Sequence, residues 1–452
     1  MTVRDYGTID LSVDRTGEAM ESINKEVWML AEVSNEESES AKVHIRELEA
    51  AGFTITSLET SGRPNAFIAE WEQGSDGPRI GFLPEYDALP DLGNSASADQ
   101  AAAPNGKSAG HGCGHNLLGA ACTGAAIALK FTMEMEGLPG LVRVYGCAAE
   151  ETTGAKVYMA RDGYFDDIDV CIAWHSGSKA STGYVRSAAV NHIVLEFHGK
   201  TAHAGANPWE GRSALDALEL FTHGINLMRE HVPTTARMHY VIQSGGGAPN
   251  IVPDYTRLFM YLRDIDRAGV DALTTWSRSL AEGAAMGTQT RADFKVTFGM
   301  YDMMANTPLV ENCQKHLEAI GVPQWTDVEQ DFAREIQRNF GIPDTGLATS
   351  VEPITPPSTM GGSSDVGDVS WCTPTVWFNY PSVPLGIGMH TWPVTACGGM
   401  SIGSKAVDGA AKVMARMAYD LMTDADLRAA ARADFEERRG DIAYVSPLES
   451  VS

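Results

Sequence analysis

Three short apolar segments, each followed at once by acidic or histidine residues, constrain the fold of this chain more than any other feature. They are RIGFLPEYDALP (79–90), LVRVYGCAAEE (141–151) and DVCIAWH (169–175). An apolar helix pattern lies between the first two, and such alternation predicts a largely parallel α/β sheet. The polar residues at the strand ends are Asp87, Glu150, Glu151 and His175. Because open parallel sheets bind ligands at the carboxyl edge of their strands, these side chains are candidates for one site.

A different pattern begins near residue 190. Strand, helix, strand, strand, helix and strand follow one another up to residue 303, which is the ferredoxin-like order. A chain of 452 residues is too long for one small core. We therefore predict an α/β domain formed by residues 1–189 and 304–452, interrupted by a smaller domain formed by residues 190–303.

Composition limits the functional classes. The net charge of −25 disfavours contact with a phosphate backbone, so we expect no nucleic-acid partner. The first residues lack the apolar core of a signal peptide, and no uninterrupted apolar run approaches the roughly 18 residues of a membrane span. The seven irregularly spaced cysteines are typical of free thiols. We expect a cytoplasmic protein with no membrane partner.

The segment SAGHGCGHNLLG (108–119) places two potential metal ligands in a glycine-rich loop. The thiolate of Cys113 and the imidazole of His115 both suit zinc-like ions. The segment lacks the lysine of a phosphate-binding loop, and Cys113 has no CxxC partner. Alone, this pair is as readily a coincidence as a site, and we interpret His111 as structural.

Adjacent glutamates are weak evidence by themselves, because they also occur at 36–37 and 436–437, on helix patterns that we interpret as solvated. Only Glu150-Glu151 follows an apolar strand, where a buried carboxylate requires a metal or a proton. Two further histidines, His175 and His390, are each more typical of hydrogen-bonded residues when taken singly. One cysteine, three histidines and one glutamate, however, exceed the needs of one tetrahedral ion. Two ions sharing a bridging water would use them all, an arrangement suited to hydrolysis.

Several motifs, in this order, resemble the M20 metallopeptidase/amidohydrolase family, and within it the branch of aminobenzoyl-glutamate hydrolases and aminoacylase-like amidohydrolases. They are GHGCGHN, CAAEETTG, AWHSG, GKTAHAGANPWEGRSALDA, GGGAPNIVP, SSDVGDVSWCTPT and GMHTWPV. The resemblance covers about residues 80 to 400. It implies a zinc-peptidase-like catalytic domain with a mostly parallel sheet, interrupted by a lid and dimerisation domain, and a homodimer or higher homo-oligomer formed through that lid.

The resemblance also implies the composition of the site. Glu150 would be the general base, and two divalent ions, Mn²⁺ or Zn²⁺, would be bound by Cys113, His115, Glu151, His175 and His390. This division of the glutamates is chemically sensible, because a carboxylate bound to metal does not readily shuttle protons whereas its unbound neighbour does. The thiolate favours zinc, while the carboxylate ligand and the metals used within the family make manganese the alternative.

The chain departs from the family at one position. Many members have His-x-Asp where this chain has Glu85-Tyr86-Asp87. In the branch that the chain resembles, Cys113 takes the place of the missing histidine as a ligand. Asp87 would hydrogen-bond to a metal-binding side chain and thereby orient it. Whether Glu85 or Asp87 contacts metal stays open, as does the identity of the bridging group: thiolate, carboxylate or water.

The smaller domain contributes three further candidates. His203 resembles a family histidine that reaches the partner subunit's active site and stabilises the oxyanion; the alternative is a surface-loop histidine. Asn250 resembles a substrate-contacting asparagine. Arg263 is suited to a substrate carboxylate, which a guanidinium binds bidentately, and the alternative is an ion pair with Asp264 or Asp266.

These observations predict a metal-dependent hydrolase that cleaves the amide bond of a small molecule. The expected substrate is an N-acyl amino acid, aminobenzoyl-glutamate-like or dipeptide-like compound. An aromatic aminohydrolase, releasing ammonia from a ring carbon, is the alternative on the same dinuclear scaffold. An alternative of another class is a non-catalytic ligand-binding descendant, against which the complete ligand set and Glu150 argue.

Overall fold

The structure is a computed structural model that describes residues 4–448. Its strands are β1 (Thr54–Leu58), β2 (Phe67–Gln73), β3 (Arg79–Phe82), β4 (Gly140–Gly146), β5 (Val170–Gly177), β6 (Ser181–Arg186), β7 (Ala189–His198), β8 (Arg237–Ser244), β9 (Tyr255–Asp264), β10 (Arg291–Met300), β11 (Thr355–Thr359) and β12 (Thr375–Pro381).

The α-helices are α1 (Gly7–Arg15), α2 (Gly17–Leu30), α3 (Ser38–Ala50), α4 (His115–Glu136), α5 (Ala155–Arg161), α6 (Ala214–Met228), α7 (Arg267–Thr288), α8 (Thr307–Ile320), α9 (Asp327–Phe340), α10 (Val366–Cys372), α11 (Trp392–Gly398), α12 (Ser401–Thr423) and α13 (Ala425–Arg439). Short 3₁₀ turns occupy Thr60–Gly62, Pro208–Glu210 and Arg229–His231.

The chain divides into two compact units. Among the described residues, the larger contains 4–185, 304–358 and 369–444. The smaller contains residues 186–303, 359–368 and 445–448. Both short segments of the smaller unit come from the stretch that the sequence pattern assigns to the larger domain, because a local pattern does not reveal their packing partners.

An eight-stranded sheet in the order β1-β2-β4-β3-β5-β12-β6-β11 forms the centre of the larger unit. Its four middle strands, β4, β3, β5 and β12, are parallel to one another. The predicted parallel sheet is therefore confirmed at the centre, while β2 pairs antiparallel with β4 and β6 pairs antiparallel with β12. Strands β3, β4 and β5 bring the polar residues that follow them to a common edge.

Helix α4 connects the glycine-rich loop to the core. By length and composition it is the one helix of residues 4–448 that is long and apolar enough to cross a membrane, yet 94% of its most apolar window is buried inside the protein. Such burial is typical of the core helix of a globular protein. Its small residues permit close packing: a Cβ at Gly124 would lie 2.3 Å from Cγ of Met20.

The smaller unit contains the predicted β-α-β-β-α-β order. Its antiparallel sheet has the order β10-β7-β9-β8, which is the ferredoxin-like arrangement. Residues alternate along β9 between buried and half-buried positions. The buried face, including Leu258, Met260 and Leu262, packs with apolar residues of α6 and α7. The opposite face of β9 carries Tyr261 and Arg263.

Candidate metal centre

Backbone pairing continues past the ends of β3 and β4 and aligns the loops that follow them. Cys147 donates from its backbone nitrogen to the carbonyl of Pro84 at 2.9 Å, and Glu85 forms a parallel bridge with Cys147. The loop that carries Glu85 and Asp87 therefore runs beside the turn that carries Glu150 and Glu151. His175 lies within β5, in register with Asn379 of β12.

The glycine-rich loop approaches this edge closely. Gly114 has a φ of +78°, and a Cβ there would lie 2.7 Å from both Cβ and Oγ of Ser176. Glycine is therefore required at this position by conformation and by space. The backbone nitrogen of His390 donates to the carbonyl of Gly112 at 2.7 Å, which brings a loop from the far end of the chain to the same edge.

The structure brings all five predicted ligands together. Of the four groups in residues 4–448 whose potential ligand atoms lie within 4.8 Å of one another, three belong to this edge: Cys113 with His115 and His175, Cys113 with Glu151 and His390, and Glu85 with His115 and Glu150. One short distance falls within each of the first two groups. Cys113 Sγ lies 3.4 Å from Nε2 of His175, and Glu151 Oε2 lies 3.3 Å from Nε2 of His390. Cys113 belongs to both groups, as a bridging ligand would.

The histidine ring orientations suit metal binding. His115 Nδ1 lies 2.8 Å from Oδ1 of Asp87, and His175 Nδ1 lies 2.7 Å from the carbonyl of Ser176. Each of these oxygens accepts a hydrogen bond from the Nδ1–H, so Nε2 is the ring nitrogen that faces the cluster and would bind an ion. His115 Nε2 and Glu151 Oε1 are buried with no hydrogen-bond partner among the residues that the structure describes. Because buried polar atoms are normally satisfied, these unpaired atoms fit a bound cation.

Two buried acidic groups of the cluster, Cys113 and Asp87, have pKa values that their surroundings shift in opposite directions. Burial raises the pKa of the Cys113 thiol, and the negative charge of Glu151 raises it further. Burial would also raise the pKa of Asp87, but the charge and hydrogen bond of His115 hold it below its ordinary value. A divalent ion is the natural means of stabilising a thiolate here.

Glu85, whose role the sequence leaves open, forms an ion pair with Lys156, a residue that the sequence did not single out. Its Oε1 lies 2.8 Å from Nζ of Lys156, and both side chains are buried. Its other oxygen, Oε2, lies 3.4 Å from Nε2 of His115. Lys156 lies on α5, just beyond the glutamate turn, and no spacing rule for ligands would have identified it.

A second missed contribution comes from the loop between α2 and α3. Ser34 donates to Oδ2 of Asp87 at 2.7 Å, and the backbone nitrogen of Glu151 donates to the same oxygen at 3.0 Å. The prediction that residues 36 and 37 both lie on a solvated helix face is wrong: Glu36 is exposed, but Glu37 is fully buried. Glu37 immediately precedes α3 and turns inward, where its carboxylate has hydrogen-bond partners.

In the smaller unit, His203 and Asn250 lie on adjacent loops. His203 forms an antiparallel bridge with Ile251, and Ala204 donates to the carbonyl of Asn250 at 2.9 Å. His203 Nδ1 accepts from the backbone nitrogens of Gly205 and Ala206 at 3.2 and 3.1 Å. The proton of the neutral ring is therefore on Nε2, which leaves an exposed N–H donor.

The predicted alternative for Arg263, an ion pair with Asp264 or Asp266, is not what the structure shows. Arg263 donates to Oγ of Ser363 at 2.7 Å. Asp264 accepts from Thr235, on the other face of the strand, and Asp266 caps α7. Burial lowers the pKa of Arg263.

His111 has the environment of a structural residue. It is buried, with Nε2 2.9 Å from the carbonyl of Val27 on α2. Burial lowers its pKa to about 4, so the ring is neutral near pH 7. This hydrogen bond fixes the start of the glycine-rich loop against α2.

Comparison with known proteins identifies the family. Residues 187–284 match the peptidase dimerisation domain of M20 proteins. The chain is 34% identical to one of the subunits of the p-aminobenzoyl-glutamate hydrolase of Escherichia coli K12, over 98% of this chain and 97% of that protein. The chain belongs to the M20 family.

Two further relatives agree with this assignment. The M20 chain is 29% identical to human Xaa-Arg dipeptidase, over 97% of this chain and 93% of that protein. A solved dinuclear metal-binding M20 peptidase of Bacillus subtilis has the same fold, with a TM-score of 0.59 and 17% identity over 91% of this chain and 99% of that structure. The predicted fold class and the predicted activity as a metal-dependent amide hydrolase are confirmed.

Proposed function

We propose that this M20 hydrolase binds two divalent ions through Cys113, His115, Glu151, His175 and His390. The observation that carries the proposal is the division of these residues into two groups that share Cys113. His115 and His175 would complete one site, while Glu151 and His390 would complete the other, with the Cys113 thiolate between them. Soft sulfur and imidazole donors favour Zn²⁺, and the Glu151 carboxylate also suits Mn²⁺.

When bound, paired divalent ions lower the pKa of a water molecule and polarise the carbonyl of the substrate. The residues of the chain supply the rest of the chemistry. Glu150 follows the strand end and has Oε2 4.0 Å from Nε2 of His115, so its carboxylate lies beside the cluster. We assign Glu150 to take a proton from the attacking water and to return it to the leaving amine.

The smaller unit would stabilise the oxyanion and bind the rest of the substrate. His203 presents an Nε2–H donor on a loop braced by two backbone hydrogen bonds, which suits a developing oxyanion. Asn250, on the neighbouring loop, would contact the substrate amide. Arg263 would bind a substrate carboxylate, exchanging its hydrogen bond to Ser363 for a bidentate pair.

The proposed substrates are N-acyl amino acids and dipeptide-like amides with a free carboxylate, of which aminobenzoyl-glutamate is the first choice. The support comes from the two relatives, one named as a p-aminobenzoyl-glutamate hydrolase and the other as an Xaa-Arg dipeptidase. A guanidinium at Arg263 would serve the carboxylate that both kinds of substrate carry.

We further propose a homodimer, in the cytoplasm, that assembles through the smaller unit. Support comes from the match of residues 187–284 to a peptidase dimerisation domain. Strand β8 lies at one edge of its sheet and exposes Val241 and Ile242, by 66% and 48%. Unpaired strand edges with apolar side chains are natural pairing surfaces. Because the E. coli relative is named as one subunit of a hydrolase, a test must distinguish self-association from the need for a second chain.

The test is a substrate screen of the metal-free enzyme reconstituted with Zn²⁺ or Mn²⁺ in parallel. Aminobenzoyl-glutamate, N-acyl amino acids and dipeptides are assayed for released amine, and amino-aromatic compounds for ammonia. We expect amide cleavage with two ions bound per chain. Cys113→Ser, compared with the buried control Cys397→Ser, should lower metal content; unchanged metal content in Cys113→Ser would overturn the ligand assignment.

A further inference from the structure

A buried carboxylate that belongs neither to the ligand set nor to the family resemblance lies behind the candidate site. Glu37, the residue before α3, has no solvent exposure, while its neighbour Glu36 is exposed. Because burying a carboxylate is costly, its position requires compensating contacts. The hydrogen bonds of its carboxylate indicate which part of the candidate site Glu37 supports.

The carboxylate of Glu37 accepts two hydrogen bonds from neutral donors. Oε1 accepts from the backbone nitrogen of Ala149 at 2.7 Å, and Oε2 accepts from Nδ2 of Asn65 at 3.1 Å. The first bond joins residues 112 positions apart in the sequence. It connects the start of α3 directly to the turn that carries the two glutamates.

Ala149 is the strained residue of that turn. Its φ is +55°, in the left-handed region that costs a residue with a Cβ roughly 1–2 kcal/mol. Its carbonyl accepts from the backbone nitrogens of Thr152, Thr153 and Gly154, at 3.2, 3.0 and 2.7 Å. The left-handed residue therefore sets the direction in which the next two residues, Glu150 and Glu151, leave the strand.

We propose that Glu37 is a positioning residue, whose hydrogen bond to the Ala149 nitrogen holds the left-handed turn and thereby aims Glu150 and Glu151 at the metal centre. The proposal rests on the roles proposed for those two glutamates. Glu37 touches neither substrate nor metal in this arrangement. What the turn needs from it is an acceptor oxygen at the right reach.

The hydrogen bond to the Ala149 nitrogen depends on the length of the Glu37 side chain and not on its charge, because a second negative charge beside Asp87 is unfavourable. Burial raises the pKa of Glu37 to about 7, and the carboxylate of Asp87 contributes to this rise. A neutral glutamine of the same length can still accept from the Ala149 nitrogen. An aspartate keeps the charge but is one methylene too short.

The experiment compares Glu37→Gln, Glu37→Asp and the exposed neighbour control Glu36→Gln in the full-length, metal-loaded enzyme. We expect Glu37→Asp to lower kcat by about 10–100-fold, with little change in KM, as for other residues that orient a metal site from behind. Glu37→Gln should retain most of the wild-type kcat, and Glu36→Gln should match the wild type.

Two measurements do not depend on catalysis. In Glu37→Asp, hydrogen exchange should become faster for the amides of residues 149–154 and should stay unchanged in α12. The Zn²⁺ affinity of this variant, measured by competition with a chelator, should fall by about 10–100-fold. If no tested amide is cleaved by the wild type, the proposed function fails, while these two measurements still decide the role of Glu37. Unaltered exchange in Glu37→Asp, or equal impairment of the Gln and Asp variants, would overturn the proposal.

Discussion

In the larger unit, four predicted ligands lie buried or half-buried at one edge of the sheet, and the fifth, His390, is more exposed. In the smaller unit, His203 and Asn250 lie exposed on a pair of loops. In the first region the ligand atoms face one another across a few ångströms. In the second region, side chains with binding chemistry face solvent. The difference teaches that residues of one unit are enough to form the candidate metal centre, while His203 and Asn250 expose groups that a substrate or another surface would contact.

The most severe test of the buried region is Glu150→Gln, which removes the proposed base and leaves the ligands in place. We expect kcat to fall by about 10²–10⁴-fold, since general acid–base catalysis contributes that much. Metal content, measured by elemental analysis, should equal that of the wild type. A variant that kept most of its rate would show that the proton is handled elsewhere.

The exposed region is tested by His203→Ala. Loss of one oxyanion donor typically lowers kcat by about 10²–10³-fold, with metal binding unchanged. If His203 acts in the site of a partner, hybrids of the inactive His203→Ala and Glu150→Gln chains should regain activity, because one site of each hybrid dimer has both groups. Hybrids that form by native mass spectrometry yet stay inactive would place His203 in the site of its own chain.

A smaller effect is expected from Asp87→Asn. The substitution keeps the shape of the side chain but weakens its hold on Nδ1 of His115, so metal affinity should fall by about 10–100-fold. Asp91→Asn, at an exposed position of the same loop, is the matched control. Competition with a chelator measures both variants, and equal affinities would show that Asp87 does not orient His115.

The smallest predicted effect is on the pH dependence of stability. Burial raises the pKa of Glu37 to about 7, so the folded protein retains a proton that the unfolded chain releases near pH 4.5. Stability from this group is therefore complete below about pH 4.5 and is lost as pH rises through 7. Between pH 5 and pH 8 the wild type should lose more thermal stability than Glu37→Gln does. The exposed His203→Gln should behave like the wild type, and parallel melting curves for all three proteins would contradict the prediction.

Much of the fold and of the site was predictable because it depends on local pattern. Apolar strands that end in polar residues predict a parallel sheet with Asp87, Glu150, Glu151 and His175 at one edge, and the structure has them there. The β-α-β-β-α-β order of the smaller unit is equally legible from alternation. Cys113, His115 and His390 needed the resemblance to the M20 motifs as well, since single histidines and cysteines carry little information.

The residues that support the site were decided only by the tertiary structure. Glu37 looks like a solvated helix residue, and Ser34 and Lys156 resemble ordinary loop and helix residues, until packing brings them against Ala149, Asp87 and Glu85. The amino-acid sequence determined which side chains follow the strands, because side-chain direction and strand ends are local properties. Which distant side chain meets a buried carboxylate or a strained backbone nitrogen depends instead on close packing between segments more than 50 residues apart, and no local period encodes it.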